Sequence, residues 1–347
     1  MNMREIKFID LFAGIGGFRY CFDKLGGKCV FSSEIDENCK EVYQNNYGDI
    51  PHGDITKINE KDIPDFDILC AGFPCQPFSI CGKKNGFNDI RGTLFFDICR
   101  IIKEKQPSVL FLENVKHLVN HDRKKTLFVI LEQIKSLGYN VDYRILNSKD
   151  FGVPQSRERI IIIGTKNGYF DFNQLKKIQS KTIRSILDEN GNFEYLDESE
   201  YTLLDEDLIK IQDKTGLIFC GYRNKGQWKK GVRAGTEHLS RVHRQPNRIY
   251  SVDGIHPTLP SQETSGRFWI YDKLTNKVRK LTLNECYRLM GFPDNFKRTE
   301  ITGHSYKQVG NSVVIPMIME IANEILKQGF TNGKFGKFGN NLSNSLF

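Results

Sequence analysis

The chain has 347 residues, 39% of them hydrophobic and 27% charged, with a formal net charge of +8. That length allows a sizeable core in one large domain or two ordinary ones, and the composition is that of a globular protein. No apolar run approaches the length needed to cross a membrane, the start carries no signal-peptide pattern, and the basic balance points to a polyanionic partner.

In chain order, IKFIDLFAG (6–14) reads as a strand running into a glycine turn, and GFRYCFDKLG (17–26) as a helix with a glycine stop. KCVFSSEID (28–36) is a second strand and ENCKEVYQNNY (37–47) a second helix. FDILCAG (66–72) is a short buried strand. After it comes AGFPCQPFS (71–79), in which Pro74 and Pro77 frame Cys75 in a stiff, non-helical loop. TLFFDICRIIKEKQP (93–107) is a helix closed by proline, VLFLENV (109–115) a strand, and TLFVILEQIKSLGY (126–139) a helix. VDYRILNS (141–148) and RIIIIGT (159–165) are strands. Such alternation implies an α/β fold with a doubly wound, mainly parallel sheet.

The alternation stops near residue 170. Residues 171–220 are polar and acidic, with weak periodicity. Residues 221–250 hold eight Lys or Arg against one acid, Glu237, so most of the net charge sits there. RKLTLNECYRLMGFP (279–293) reads as a helix, with Thr282 and Glu285 spaced as a capping box. NSVVIPMIMEIANEILKQG (311–329) reads as an amphipathic helix with Pro316 in its first turns, and the Gly/Asn/Ser-rich tail that follows is expected to be disordered.

Nine cysteines without a C-x-x-C pair or ligand spacing to histidine argue against a disulfide framework and against a zinc site. Most are expected to be core thiols, which is also the alternative for Cys75. Its place just past a strand end, where open α/β sheets put their chemistry, favours a working thiol. The turn FAGIGG fits a dinucleotide fingerprint only in part: Gly14 and Gly16 match, but Arg19 stands where a third glycine belongs. Glu34, at the end of the second strand, can accept from ribose hydroxyls, and Asp54 offers another carboxylate. A nucleoside-containing cofactor without a pyrophosphate cradle suits S-adenosylmethionine better than NAD. Glu113, past a central strand, can pair with a thiolate chemistry at Cys75. Arg157 and Arg159 are two apart at a strand start, and period two sends both to one face. Solvated surface acids are the plain alternative for Glu34 and Asp54, and surface arginines for Arg157 and Arg159.

FIDLFAGIGGFR, GFPCQPFS, LFLENV, QSRERI and QVGNSV occur in the order seen in bacterial restriction–modification DNA (cytosine-5) methyltransferases, and the chain resembles that family over roughly 6–166 and 279–326. The resemblance implies a Rossmann-like, S-adenosylmethionine-dependent methyltransferase domain over 1–180, completed by 303–328. It further implies a smaller target-recognition domain over 181–284, a hinge over 285–302, a basic cleft between the domains, and a tail from 329 outside the fold. Cys75 is then the nucleophile that adds to cytosine C6. Glu113 holds N3 and the exocyclic amine, Arg159 contacts O2, and Arg157 supports the site. Phe12, Gly14, Gly16, Glu34, Ile35, Asp54, Ile55, Pro74 and Asn311 form the cofactor pocket, with Ile35 where many relatives carry an aromatic residue.

The target base must leave the duplex to be reached, and the loop 79–92 resembles the segment that closes over it. Gln245 stands where relatives fill the gap, Arg248 and Thr258 where they touch bases, and Lys229 and Lys230 are expected on phosphates. The partner is double-stranded DNA, no metal is required, and a cytoplasmic monomer beside a cognate restriction endonuclease is expected. A tRNA methyltransferase of the same fold and a catalytically inert DNA-binding module are the competing readings.

Overall fold

The computed structural model describes residues 5–74, 94–224, 235–261 and 269–331. Cys75, the loop 79–92, Lys229, Lys230 and the tail from 332 lie outside the described residues. The chain divides into two compact units, one of residues 1–146, 158–176 and 317–347, the other of 147–157 and 177–316.

The first unit carries strands β1 (Lys7–Leu11), β2 (Lys28–Ser33), β3 (Ile68–Gly72), β4 (Val109–Val115), β5 (Asn140–Asn147) and, after a two-residue strand β6 (Gln155–Ser156) of the other unit, β7 (Glu158–Thr165). Helices α1 (Gly17–Lys24), α2 (Glu37–Tyr47), α3 (Leu94–Lys105) and α4 (Lys125–Ser136) alternate with them. The sheet order is β2-β1-β3-β4-β7-β5. β1 pairs parallel with β2 and β3, and β3 parallel with β4. β7 pairs antiparallel with β4, so the sheet is mixed. The reason lies in the connection: residues 148–157, which separate β5 from β7, hold no crossover helix, and a parallel return needs one.

β3 and β4 are buried along nearly their whole length, as expected of strands covered on both faces. Leu69, Ile98, Leu110, Ile130 and Ile162 share one core. The chain leaves β1 first to one side, for β2, and later to the other, for β3. Such a reversal opens a crevice at the carboxyl ends of β1 and β3. Residues 12–16 and 73–74 follow those strand ends directly, and Glu34 follows the end of β2 beside them.

The second unit holds a five-stranded sheet of β8 (Tyr201–Leu203), β9 (Phe219–Arg223), β10 (Arg248–Ser251), β12 (Trp269–Asp272) and β13 (Lys277–Lys280), in the order β13-β12-β10-β9-β8. β6 pairs parallel with β11 (His256–Pro257). Leu196, Cys220, Ile249, Trp269 and Val278 form a small core. Helices α5 (Leu283–Leu289) and α6 (Thr302–Asn311) follow, and α7 (Ile315–Leu326) returns the chain to the first unit.

Three sequence expectations shift here. The helix expected over 279–293 covers only Leu283–Leu289, because Lys277–Lys280 is held as a strand against β12. The helix expected from 311 starts at Ile315, since Asn311 ends α6. Third, the stretch Thr302–Gly329 is long and apolar enough to cross a membrane by length and composition alone. Most of it is buried inside the protein, and it is broken between α6 and α7.

The capping box does form. Thr282 Oγ1 accepts from the Glu285 amide, and Glu285 Oε2 accepts from the Thr282 amide at 2.7 Å. Glu285 is fully buried, and its carboxylate also takes a two-pronged ion pair from Arg279 at 2.7 and 2.9 Å and a hydrogen bond from the Asp188 amide at 2.8 Å. Removing one partner leaves the other buried and uncompensated, at a cost of about 3–5 kcal/mol. Glu285→Ala is therefore expected to destabilise by that amount in urea unfolding. Arg279→Met with Glu285→Met is expected to lie closer to wild type than Glu285→Ala does. A double variant less stable than Glu285→Ala would contradict the assignment.

Candidate active site

β4 ends in Glu113, Asn114 and Val115, and each has a distinct partner. Glu113 is in register with Gly72 of β3 and with Ile161 of β7, while Val115 faces Arg159. Arg159 and Ile161 share a face because side chains alternate along a strand. Arg159 thus reaches Glu113 along the cross-strand diagonal. Its Nε lies 2.9 Å from Glu113 Oε1, with both side chains close to nine-tenths buried. Burial pulls the guanidinium's pKa down, and the Glu113 charge opposes that shift. Arg159 also donates to the Glu158 carbonyl at 2.9 Å.

Asn114 Nδ2 donates to the Phe73 carbonyl at 2.8 Å in a buried position. This ties the segment entering Cys75 to the end of β4. Sequence reasoning passed over Asn114, although it stands in the same ENV motif as Glu113.

Arg157 and Arg159 have separate duties. Strand pairing is interrupted at Arg157, which lies between β6 and β7. Arg157 is 2% exposed and donates to the carbonyls of Leu259, Gly310 and Ser312 at 2.8, 2.8 and 3.0 Å. Its guanidinium thus holds the segment at Leu259 to the C-terminal end of α6 within the second unit. Gln155, two residues earlier and also missed, is fully buried. Its amide donates to the Leu289 carbonyl at 3.0 Å and accepts from the Leu259 amide at 2.9 Å. Thr258 donates its hydroxyl to the Ser156 carbonyl at 2.9 Å, which leaves the oxygen free only to accept. The segment QSR therefore fixes residues 256–259 at several points.

At the crevice side of the first unit, the turn after β1 bends through positive φ at Phe12, Gly14 and Gly16. A Cβ on Gly16 would come within 2.3 Å of the Tyr47 ring, whereas one on Gly14 would meet nothing within 4 Å. Gly16 serves packing, and Gly14 leaves its face open. Glu34 accepts from the amides of Gly14 at 2.7 Å and of Ile35 and Asp36 at 2.8 Å. A carboxylate offers about four acceptor positions, so one remains, on Oε2. Ile35 is 69% exposed beside it, Pro74 is exposed, and Ile55 is buried. Asp54 accepts from the Thr56 hydroxyl at 2.7 Å and the Thr56 amide at 3.0 Å, which lower its pKa in that order. Asn311, exposed at the end of α6, belongs to the second unit.

Also in the second unit, Gln245 is exposed at the start of a single 3-10 turn, Gln245–Asn247. Arg248 follows as the first residue of β10, its Nε donating to the His243 carbonyl at 3.1 Å. The His243 ring is stacked on Tyr222 with centroids 4.2 Å apart. The Arg248 guanidinium is thus tied to the main chain of a residue whose own ring is stacked.

A family model described as C-5 cytosine-specific DNA methylase matches residues 6–327. The chain is 41% identical to the type II methyltransferase M.HhaI of Haemophilus parahaemolyticus, over 93% of this chain and 95% of that one. It is 40% identical to the type II methyltransferase M.HpaII of Haemophilus parainfluenzae, over 94% and 91% of the two chains. In fold it is similar to the S. pombe Dnmt2 methyltransferase, with a TM-score of 0.65 at 19% identity over 93% of this chain and 99% of that one.

The 256–259 segment carries its own titratable probe. His256 is fully buried, and its Nδ1 carries the proton it donates to the Pro257 carbonyl at 2.6 Å. Burial pushes its pKa down to about 4 from an ordinary 6.5. The unfolded chain therefore binds the extra proton first: this contribution to stability is whole above about pH 7 and falls away as the pH drops towards 4. The loss across that window is on the order of 3 kcal/mol. His256→Asn is expected to flatten this part of the pH–stability curve, read as urea midpoints between pH 7.5 and 4.5. A variant with the wild-type slope would contradict it.

Proposed function

The chain belongs to the C-5 cytosine-specific DNA methylase family and is a DNA (cytosine-5-)-methyltransferase of the restriction–modification kind; we propose that Cys75, Glu113 and Arg159 carry its chemistry, on a cytosine turned out of a short, specific duplex sequence. The observation that carries this reading is the Glu113–Arg159 pair, buried at the strand end that also anchors Phe73, two residues before Cys75.

Cytosine C5 is too weak a nucleophile to take a methyl group by itself. Addition of the Cys75 thiolate at C6 makes C5 an enamine carbon. A free thiol of pKa about 8.5 is mostly protonated at neutral pH, so the site must favour the thiolate. Glu113 holds N3 and the exocyclic amine as the ring takes up a proton. Arg159 keeps the Glu113 carboxylate in place and reaches the base O2. S-adenosylmethionine, which the family implies, supplies the methyl group when bound. Loss of the C5 proton and of the Cys75 sulfur from C6 restores the aromatic ring.

The residues at the crevice suit that cofactor. Glu34 keeps one acceptor position for a ribose hydroxyl, Ile35 offers an exposed apolar face for the adenine, and Gly14 leaves room for close approach. Phe12, Gly16, Asp54, Ile55, Pro74 and Asn311 complete the set, Ile55 through its backbone because its side chain is in the core.

We assign the Rossmann-like catalytic domain to 1–180 with 303–328, DNA reading to 181–284 and a hinge to 285–302. Within the reading domain Gln245 fills the place of the flipped base, Arg248 and Thr258 meet base edges, and Lys229 and Lys230 meet phosphates. Arg157 supports the site by holding the loops at 259 and 310–312. A monomer in the cytoplasm, acting on double-stranded DNA beside a cognate endonuclease, completes the reading.

DNA with 5-fluorocytosine at the target is expected to trap the enzyme covalently, because fluorine cannot leave as the proton does. The adduct should require S-adenosylmethionine and vanish in Cys75→Ser, on a denaturing gel and by peptide mapping. An adduct that persists in Cys75→Ser and maps to another cysteine would overturn the assignment.

Base reading and phosphate contact separate on a panel of singly substituted duplexes. Arg248→Ala should cost about 1–3 kcal/mol at one base position and relax discrimination there. Lys229→Ala should weaken all sequences alike and reduce the salt slope by about one. An even loss across the panel for Arg248→Ala, with a shallower salt slope, would make it a phosphate contact instead.

A further inference from the structure

The connection from β4 to α4 (residues 116–124) has an unusual backbone. A 3-10 turn over Lys116–Val119 is followed by Asp122, Arg123 and Lys124, all left-handed, with φ of 44°, 55° and 72°. Each such residue costs about 1–2 kcal/mol relative to the right-handed form, and glycine would relieve it. The sequence places one acid and two cations there instead. Asp122, Arg123, Lys124 and Lys125 are all exposed, and among the described residues neither Arg123, Lys124 nor Lys125 has an ion-pair partner. By contrast Lys116, earlier in the same connection, is paired with Glu158 at 2.8 Å. Asp122 is the single acid in residues 116–125.

We propose that Arg123, Lys124 and Lys125 form a second DNA-backbone contact, made by the catalytic unit itself on phosphates beside the target cytosine. The proposal rests on the duplex-methylation reading above. The distance permits it. Glu113 and Arg123 are joined by two strand steps and a run of tight turns rising about 2 Å per residue, so they lie within roughly 25 Å of each other. Duplex DNA carries one charge per about 1.7 Å of axis, so a base held at Glu113 puts several phosphates within that reach. Three consecutive cations against the single neighbouring acid, Asp122, leave a local positive excess that raises the potential where those phosphates arrive. The left-handed run also restricts where they point. These contacts carry no sequence information: they add affinity and hold the duplex against the catalytic unit while the 181–284 segment reads bases.

The test compares wild type with Arg123→Asn/Lys124→Gly/Lys125→Gln, in which Asn and Gly suit positive φ better than the native residues. The probe is a 30-base-pair duplex (~100 Å) carrying the methylated sequence, beside a scrambled duplex of equal length. Affinity is measured by anisotropy across a KCl series. The triple variant should flatten the slope of log K against log salt by about 2–3 and weaken binding at least about tenfold near 0.1 M salt, alike on both duplexes. Its thermal midpoint should equal or exceed that of wild type, and Lys124→Gly alone should raise the midpoint and flatten the slope by about one. An unchanged slope and affinity in a folded triple variant, with wild type still methylating the duplex, would overturn this contact alone and make the turn a solvated surface. A wild type that neither methylates nor binds the duplex would overturn the DNA reading and the contact with it.

Discussion

The ion pair between Glu113 and Arg159 sits where the sheet changes from parallel to antiparallel pairing. β3 and β4 run together and bring the Phe73 segment alongside Glu113. β7 runs against β4, and that reversal lets an arginine from a later part of the chain reach the same carboxylate diagonally. A parallel β7 would have put the opposite end of its strand at this edge. An unpaired carboxylate or guanidinium this deeply buried would be strongly destabilising, so each charge depends on the other being present. The site is in this sense a consequence of strand direction.

The second unit solves a different problem, the placement of loops that have little regular structure. Its main chain between 256 and 259 is pinned by Gln155, Ser156 and Arg157, and the 310–312 turn by the same arginine. The Gln155 and Arg157 contacts join buried side chains to main-chain groups and so tolerate sequence change in the loops, whereas the Ser156 contact depends on the Thr258 hydroxyl. The motif QSRER therefore has two functions: its first half orders the second unit, and its last arginine belongs to Glu113. The capping box around Glu285 acts in the same manner, joining Arg279, Asp188 and the start of α5 through one carboxylate.

Much of this was legible in the residues. α2 and β4 have the bounds their sequence implies, because a helix with Asp36 before it and Gly48 after it, or an apolar run between proline and a charged turn, leaves few alternatives. Glu34 was legible as a strand-end acid, but that three amides fill most of its acceptor positions was not, since two of them come from its immediate neighbours and one from a glycine twenty residues earlier. The direction of β7 was missed because local pattern gives a strand but not its partner. The partners of Arg157 and Gln155 were not legible for a related reason: a buried polar side chain looks like a surface one until the main-chain groups it serves are known. The strands of the five-stranded sheet gave no periodic signal, being three to five residues long.

Whether Glu113 and Arg159 act as one unit is open to a single direct measurement: a double-mutant cycle on methyl transfer to duplex DNA under single-turnover conditions, with Glu113→Gln, Arg159→Ala and the two combined. A unit predicts strong non-additivity. Each single change should slow transfer by about 10²-fold or more, and the double variant should be little slower than the worse single, a coupling of about 2–3 kcal/mol. Losses that simply multiply would contradict it, and would make Arg159 and Glu113 independent contacts that happen to touch.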